Sequence, residues 1–299
     1  WVAVATGTNH TLGLRSDGTL WAWGYNCYGQ LGQGDLVSQT TPTRVGTATN
    51  WVRIAAGQFF SLGLRSDGTL WSWGSNLYGE LGQGDYVHRY SPTKMGTATN
   101  WAQVVAGHHH GLAIRSDGTL WAWGANQYGQ LGFGYGSQTP QTTPKQVGTS
   151  SGWLQATGGE WYSLGVRTDG TLWSWGRNNR GQLGLGDISD RNSPTRVGTA
   201  TNWAEAVAGR EHALGKSSGG TLWSWGWNYY GQLGLGDTID RTTPTQVGAS
   251  SPPPTTPPSV STSGATYITT NSARLNGSLS SLGTADTVNV SFQYGTVSG

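Results

Sequence analysis

The sequence predicts an all-β protein, a β-propeller built from five repeats, on the strength of three observations. A sixteen-residue phrase that begins LWAWG at Leu20 returns at Leu70, Leu120, Leu172 and Leu222. Each repeat of about 50 residues contains four short segments rich in Trp, Val, Leu and Thr, which end at Gly, Asp or Pro as strands do. Four antiparallel strands in a repeat of about this length are typical of one propeller blade.

The composition agrees with many short strands joined by tight turns. Of 299 residues, 49 are Gly and only 11% are charged, whereas about 7% Gly and about 25% charged residues are usual. No long amphipathic helical pattern is present. We expect a propeller over residues 1–248, with repeats at 1–50, 51–100, 101–152, 153–202 and 203–248, the third lengthened by two residues between Gly134 and Pro144.

The four segments of a repeat have separate signatures. In the first repeat they begin at Trp1, Thr11, Thr19 and Thr41. The Ser-Asp-Gly between the second and third segments predicts a hairpin, because Gly tolerates positive φ and Asp hydrogen-bonds to its own turn. In LWAWG the two Trp side chains share one face of a strand, and we expect them in the core. The Gly-rich stretch that follows predicts a loop with Leu31 inside and Asn26 bonded to its backbone.

These segments resemble the regulator of chromosome condensation repeat in its bacterial form. The shared pattern is W-x-x-(V/I)-A-x-G, then L-G-L-R-S-D-G-T-L-W-x-W-G-x-N-x-x-G-Q-L-G-x-G-D, then P-x-x-V, and it covers roughly residues 1–248. The resemblance implies a β-propeller, and propellers of this family usually have seven blades. Since five repeats are present, three arrangements stay open: a closed five-bladed ring, five blades of a seven-bladed ring, or an open arc.

The fifth repeat differs from the others on its second strand. Lys216 takes the position of Leu14, Leu64, Ile114 and Val166. This substitution indicates either a less covered terminal repeat or a Lys that extends along a covered sheet.

The composition changes after Gly248. Residues 249–259, ASSPPPTTPPS, are expected to form an extended proline-rich linker. Residues 260–299 resemble the opening strands of a fibronectin type III-like module, with strands predicted over Ser272–Ser280 and Val288–Tyr294. This segment is less than half of such a sandwich.

Several classes of function are not expected. The net charge is +2 without a basic block, so no nucleic-acid partner is expected. No apolar run of about 18 residues is present, so we expect no membrane insertion. Catalytic, phosphate-loop and zinc-protease motifs are absent, and no cofactor, metal or enzymatic activity is expected. His108–His110 is the strongest metal candidate, yet His10 and His212 share the position of His110, which favours a structural role.

Binding residues are expected where the repeats differ from one another, because an invariant frame with variable loop tips is how a repeat scaffold presents a binding surface. Comparison of the repeats gives twelve candidates, in the loops after the first strand and after LWxWG: Phe59, His108, His109, Trp161, Arg210, Tyr25, Tyr28, Tyr78, Tyr128, Arg180, Trp227 and Tyr230. Four of them, Phe59, Trp161, Trp227 and Tyr230, are aromatic residues that the frame does not require.

Three functional hypotheses follow. The first is a non-enzymatic binding or adhesion scaffold of a secreted or cell-surface bacterial protein, with a protein or glycan ligand and an undetermined oligomeric state. The second is the guanine-nucleotide exchange that the family resemblance implies for eukaryotic members, although no exchange residue matches here. The third is a protein inhibitor of a secreted enzyme.

Overall fold

The computed structural model describes residues 1–134 and 138–248, together with the backbone of two further strands, Ser259–Thr266 and Arg274–Ser281. Its contacts divide the chain into two units, Trp1–Val247 and Gly248–Gly299. The first unit holds five sheets, each with four antiparallel strands in sequence order. The predicted all-β fold with five blades is therefore confirmed.

The strands of the five blades have closely similar lengths and spacing. Blade 1 contains β1 (Ala3–Thr6), β2 (His10–Leu14), β3 (Leu20–Gly24) and β4 (Gln39–Arg44). Blade 2 contains β5 (Trp51–Ala56), β6 (Phe60–Arg65), β7 (Leu70–Gly74) and β8 (Arg89–Lys94). Blade 3 contains β9 (Trp101–Ala106), β10 (His110–Arg115), β11 (Leu120–Gly124) and β12 (Gln141–Gln146). Blade 4 contains β13 (Trp153–Gly158), β14 (Tyr162–Arg167), β15 (Leu172–Gly176) and β16 (Arg191–Arg196). Blade 5 contains β17 (Trp203–Ala208), β18 (His212–Ser217), β19 (Leu222–Gly226) and β20 (Arg241–Gln246).

In the second unit, β21 (Ser259–Thr266) pairs with β22 (Arg274–Ser281) in an antiparallel ladder. The strand predicted over Ser272–Ser280 overlaps β22. Ser259, placed in the linker by the sequence, is the first residue of β21. The strand predicted over Val288–Tyr294 lies outside the described residues.

The hairpin between β2 and β3 turns at Asp17 and Gly18, as the sequence predicts. Gly18 has a φ of +74°, and one Asp17 carboxylate oxygen accepts hydrogen bonds from the N–H of Thr19 at 3.0 Å and from its hydroxyl at 2.6 Å. A Cβ on Gly18 would lie 2.0 Å from the carbonyl oxygen of Thr49 in the connection to the next blade. This turn therefore requires Gly both for its φ and for space.

The hydrophobic core lies between neighbouring blades. Leu12, Leu14 and Leu20 of blade 1 pack against Trp51 and Trp73 of blade 2. Equivalent clusters fill the three junctions that follow. Each Trp buries about 150–250 Å², so the repeated Trp residues are part of the frame and join each blade to its neighbour.

The Gly-rich loop between β3 and β4 is organised around Asn26. Its side-chain N–H donates to the carbonyls of Asp35 and Val37, both at 3.1 Å, and its Oδ1 accepts the N–H of buried Leu31 at 2.9 Å. The Asp35 carboxylate caps the turn by accepting the N–H of Val37 at 3.0 Å. Both predictions for this loop, Leu31 inside and Asn26 bonded to the backbone, are confirmed.

The two end faces of the first unit are open to solvent. Trp1 is 58% exposed, whereas its counterpart Trp51 is buried. At the other end Leu222 is 41% exposed, although the equivalent Leu20 is completely buried. Lys216 lies on the same open face and pairs with Glu205 at 2.9 Å. A closed five-bladed ring would cover both faces, so these exposures argue against closure by these five blades alone, and Lys216 is exposed and does not extend along a covered sheet.

Candidate functional site: an aromatic face on the variable loops

The variable loops lie on one side of the blades, because successive strands run in opposite directions. The loop between the first and second strands and the loop between the third and fourth therefore meet at the same edge. In blade 1 the N–H of Tyr25 donates to the carbonyl of Asn9 at 2.8 Å, and the same bond recurs in all five blades. We call this surface, residues 7–9 and 25–38 of blade 1 and the described equivalents in the other blades, the variable face.

An aromatic residue from the outer loop of one blade contacts the inner loop of the next. Tyr28 packs against Phe59 with ring centroids 5.2 Å apart. Tyr78 meets His109 edge-on at 5.4 Å. Tyr128 meets Trp161 at 5.6 Å. The same type of contact recurs at three junctions between blades. We call these rings, which extend across blades 1 to 4, the aromatic series.

Trp161 is the centre of the largest cluster. Its indole stacks on His109, with centroids 4.2 Å apart and planes 20° from parallel. Tyr78 approaches its edge at 6.3 Å. Such pairs contribute about 0.5–1.5 kcal/mol each beyond their buried area. Trp161 is one of two Trp residues outside the repeated frame. It is partly buried, and its ring contacts hold it in place at the surface.

A second cluster, around Phe59, joins blades 1 and 2. Tyr25 lies 6.1 Å from the Phe59 ring, and the other face of the group is closed by His88, which meets Tyr28 edge-on at 5.6 Å. Tyr25 itself is exposed. The aromatic surface thus reaches from Tyr25 to Trp161.

Blade 5 carries a second aromatic group. Trp227 lies parallel to Tyr229 with centroids 6.3 Å apart and meets Tyr230 edge-on at 5.3 Å. Both tyrosines are strongly exposed. The Arg180 guanidinium lies 5.9 Å from the Trp227 ring, at the outer limit of a cation–π contact.

Charged side chains of blades 4 and 5 pair with each other on the variable face. Arg210 binds Glu160 through two N–H groups, at 2.9 and 3.3 Å. Arg177 lies 3.5 Å from Glu211. Because these pairs reach solvent, each contributes only about 0–1 kcal/mol. They neutralise this part of the face and leave the aromatic surface as its main feature.

A small pocket opens between the aromatic residues of blades 1 to 3. It has a volume of about 110 Å³, and its walls include Tyr28, Phe59, Tyr78 and His109. The Glu80 side chain lies in the same wall. An acidic group beneath aromatic rings is the combination that favours an organic cation, because ring faces and carboxylates both attract positive charge.

Glu80 is a buried carboxylic acid, with only 3% of its surface exposed. One carboxylate oxygen accepts the N–H of Tyr78 at 2.6 Å, and the other accepts the Ser75 hydroxyl at 3.2 Å. Burial raises the pKa of Glu80 to about 7 in spite of these bonds. In the part of the chain that the structure describes, Glu80 has no Lys, Arg or His within ion-pair distance.

The histidines beside Glu80 do not supply the missing positive charge. Burial, assisted by the nearby His108, lowers the pKa of His109 to about 4, and burial also lowers the pKa of His108. Both imidazoles are therefore neutral at pH 7. The pocket presents a carboxyl group without a cation of its own.

His110 has a structural role different from that of its two neighbours. It is fully buried, and its Nε2 lies 2.9 Å from the Ser163 hydroxyl, which donates to the carbonyl of Gln130. His10 makes the equivalent contact with Ser61 at 2.9 Å. Among the described residues, no three His, Cys, Asp or Glu side chains are grouped in a way that could hold a metal ion.

A family model for the RCC1-like domain matches residues 1–268. The chain belongs to the RCC1-like domain family. Among the described residues of this RCC1-like domain, no helix has the length and apolarity needed to cross a membrane.

Two solved yeast structures resemble the domain over most of its length. The structure of Kap60 bound to yeast RCC1 (Prp20) matches with a TM-score of 0.75 at 25% identity over 82% of this chain and 60% of that one. Prp20p from Saccharomyces cerevisiae, whose structure is described together with its binding to Gsp1p and histones, matches with a TM-score of 0.74 at 27% identity over 82% of this chain and 63% of that one.

Human WBSCR16 is a third similar structure, with a TM-score of 0.72 at 27% identity over 86% of this chain and 68% of that one. Among curated proteins, the ultraviolet-B receptor UVR8 of Arabidopsis thaliana is 43% identical over 42 residues, 14% of this chain and 10% of that protein. Ras guanine nucleotide exchange factor C of Dictyostelium discoideum is 48% identical over 42 residues, 14% of this chain and 3% of that protein. This domain thus spans about three-fifths of the two yeast chains and a small part of the curated relatives.

The structure brings most of the predicted binding residues together. Seven of them lie in two neighbouring clusters of ring contacts, with Tyr25, Tyr28 and Phe59 in one and Tyr78, His109, Tyr128 and Trp161 in the other. His108 borders the series, 6.3 Å from His109. Trp227 and Tyr230 form the separate group on blade 5, with Arg180 of blade 4 beside it, and Arg210 pairs with Glu160.

Sequence comparison did not single out Glu80. A signal was present, because the other four repeats carry Gln at this position, at Gln30, Gln130, Gln182 and Gln232. This substitution lies within the repeated sixteen-residue sequence, most of whose residues form the structural frame shared by all five blades. Its importance becomes visible only with the neighbouring loop, since Phe59 and His109 come from other parts of the chain.

Proposed function

We propose that this RCC1-like domain is a non-enzymatic binding scaffold, and that it holds a protein partner on the aromatic part of the variable face. The observation that supports this best is the aromatic series, a cluster around Phe59 and a cluster around Trp161 whose members together line the Glu80 pocket. Rigid aromatic residues that are partly exposed are the anchors that protein interfaces favour. A basic side chain of the partner enters the Glu80 pocket and supplies the missing positive charge.

The similar structures support a protein partner over a glycan. Yeast RCC1 was solved bound to Kap60, and Prp20p is described with its binding to Gsp1p and histones. Those partners belong to those proteins, and we carry over only the class of ligand. The Glu80 pocket then predicts that the contacted part of the partner contains Lys or Arg.

Selection from a displayed peptide library tests this function. Immobilised wild-type domain is expected to enrich peptides with Lys or Arg, and W161A is expected to lose the enrichment because the central ring of the cluster is gone. E80Q is expected to keep aromatic and apolar selection but to lose the preference for basic residues. Y86A is the matched control, since Tyr86 is an exposed aromatic residue of a long loop.

Thermal unfolding of each variant checks that the blades are intact before selection. Identical peptide sets from the wild type and W161A would refute a role for the aromatic series. Glycan binding that depends on Trp161, without any peptide selection, would replace the protein partner with a sugar.

We also propose a secreted or cell-surface bacterial setting for the domain. The proline-rich stretch at residues 249–259 and the resemblance of residues 260–299 to a fibronectin type III-like module support it. If the partner is a secreted enzyme, the domain acts as its inhibitor. The complete coding sequence tests the setting, because a chain without an export signal would contradict it.

Guanine-nucleotide exchange is a second candidate. The observation that favours it is the 48% identity with Ras guanine nucleotide exchange factor C over 42 residues. Release of labelled GDP from small GTPases, measured with and without the domain, separates the two functions. Acceleration by the domain would place exchange ahead of simple binding.

A further inference from the structure

Four of the five blades share a second repeated feature, on the face opposite the variable loops. The second strand ends at an Arg in blades 2 to 4 and is followed directly by Arg15 in blade 1, and each guanidinium stacks on two Trp rings. In blade 2 the Arg65 guanidinium carbon lies 4.5 Å from the Trp51 centroid and 3.6 Å from the Trp71 centroid. The equivalent distances lie between 3.7 and 4.9 Å in blades 1, 3 and 4.

These guanidinium groups are held mainly by the rings. The Nε atoms of Arg65, Arg115 and Arg167 are buried and have no hydrogen-bond partner among the described protein groups. Burial lowers the pKa of all three. Each pair of Trp rings is therefore a slot whose shape and π-faces suit a planar cation.

Blade 5 has the slot without the arginine. Ser217 takes the Arg position and pairs in register with Trp203, as Arg65 pairs with Trp51. The two rings keep their arrangement, since Trp203 and Trp223 have centroids 6.1 Å apart at 67°, against 6.1 Å and 74° for Trp51 and Trp71. The rings therefore do not need an arginine to hold this geometry.

With Ser217 in place of Arg, the cavity at this junction is larger than its counterparts. Trp203, Trp223 and Ser217 line a cavity of about 380 Å³ between blades 4 and 5, with Leu185 and Pro244 in its other walls. The corresponding cavities beside Arg65 and Arg115 measure about 290 and 280 Å³. Because the cavity belongs to the junction with blade 4, the open end face of blade 5 does not account for it.

We propose that the slot between Trp203 and Trp223 is a binding site for the guanidinium group of an arginine supplied from outside the repeat. The four occupied slots of the same chain are the templates for this ligand. Gly219 replaces the Asp that follows Arg by two residues in the other repeats, so binding depends on stacking with the rings. This site is independent of the proposed variable-face function.

The variant S217R/G219D tests the site because it rebuilds the Arg-x-Asp pattern of the other repeats and fills the slot. Binding of Nα-acetyl-arginine methylamide is followed by NMR through the indole N–H signals of Trp203 and Trp223. We expect saturable binding to the wild type and none to S217R/G219D. The uncharged citrulline analogue is expected to bind at least about tenfold more weakly, since it lacks the cation–π attraction.

Variant R65S is the matched gain-of-site control. It opens the equivalent slot between Trp51 and Trp71, and a second saturable site for the arginine compound is expected. Unfolding curves confirm that each variant is folded. Undiminished binding to folded S217R/G219D would overturn the proposal, and so would equal affinity for the arginine and citrulline compounds.

A Gly-Gly-Arg-Gly-Gly peptide distinguishes the two sources of the ligand. Tighter binding of the peptide than of the single amino-acid compound, lost in S217R/G219D, supports the proposal with a protein partner as the source. Equal affinity of the two, again lost in the variant, supports it with free arginine as the source. Peptide binding that survives the variant would contradict it.

Discussion

Replacing Glu80 by Gln is expected to make the domain more stable at neutral and alkaline pH. Four of the five repeats carry Gln at this position. In blade 1 the Gln30 Oε1 accepts the N–H of Tyr28 at 3.0 Å, and the N–H of Tyr78 donates to Glu80 in the same way. The substitution therefore keeps the main hydrogen bond of the loop and removes the ionisable proton. It also places an amide nitrogen, in place of a carboxylate oxygen, beside the Ser75 hydroxyl, which can accept from it.

The magnitude follows from the pKa of Glu80. Burial raises it from 4.5 to about 7 in the folded chain, so between these two values the folded state binds more protons than the unfolded state. Stability from this group is then present at low pH and is lost as the pH rises. A difference of this size corresponds to about 3 kcal/mol, since one pKa unit is about 1.4 kcal/mol.

Urea unfolding of the wild type and E80Q between pH 4.5 and 8.5 measures the effect. We expect the free energies of unfolding to be similar near pH 4.5 and to diverge until E80Q is more stable by about 3 kcal/mol at pH 8. Burial also lowers the pKa of His10 and His109 to about 4, which makes both proteins gain stability as the pH rises from about 4 to 6.5. Subtracting one curve from the other removes this shared contribution.

Gln130→Glu is the matched control, because it places a second acid in the equivalent loop. Its free energy of unfolding is expected to fall below that of the wild type over the same pH range. The reasoning would be refuted by wild-type and E80Q curves that stay parallel from pH 4.5 to 8.5. A pH-independent offset would show that the substitution changes packing and not protonation.

Three further substitutions test the frame and the open end. Gly18→Ala is expected to lower the free energy of unfolding by about 1–3 kcal/mol in thermal unfolding, because its φ is +74° and its Cβ would clash with Thr49. Asn76→Ala should cost about 3 kcal/mol by urea unfolding, since it leaves the buried N–H of Leu81 without its acceptor. Lys216→Leu makes the open face of blade 5 apolar, so sedimentation should show concentration-dependent association that the wild type lacks.

The repeated frame could be predicted because each of its features is local. The hairpin at Asp17 and Gly18 depends on three neighbouring residues, and the loop around Asn26 closes within twelve. Both appear in the sequence as short fixed patterns with one physical cause. The assignment of the LWxWG tryptophans to the core follows from the two-residue period of a strand. Trp73 is completely buried, whereas Trp71, the first Trp of the same motif, is only partly buried.

The binding pocket could not be predicted because its walls come from three blades. Tyr28, Phe59 and His109 meet only when blades 1, 2 and 3 pack side by side. The sequence shows that these positions vary between repeats, but it does not show which of the side chains contact one another. Trp161 and His109 are more than fifty positions apart in the sequence, yet their rings stack with centroids 4.2 Å apart. A short sequence pattern cannot predict a contact between residues so far apart in the chain.

Three departures from the repeat have the same physical form. Glu80 replaces Gln, Ser217 replaces Arg, and Lys216 replaces an aliphatic residue. In each case the surrounding residues keep the geometry of the other blades, because the strand register, the Trp pair or the loop hydrogen bonds fix it independently. The altered side chain then leaves one member of a repeated interaction absent: a neutral amide, a stacked cation or an apolar cover. A repeat protein thus contains its own reference for each position. At the slot between Trp203 and Trp223 the missing member is a stacked cation, so the ligand there must provide one. At Glu80 an acid replaces the amide, so the partner must provide a basic group.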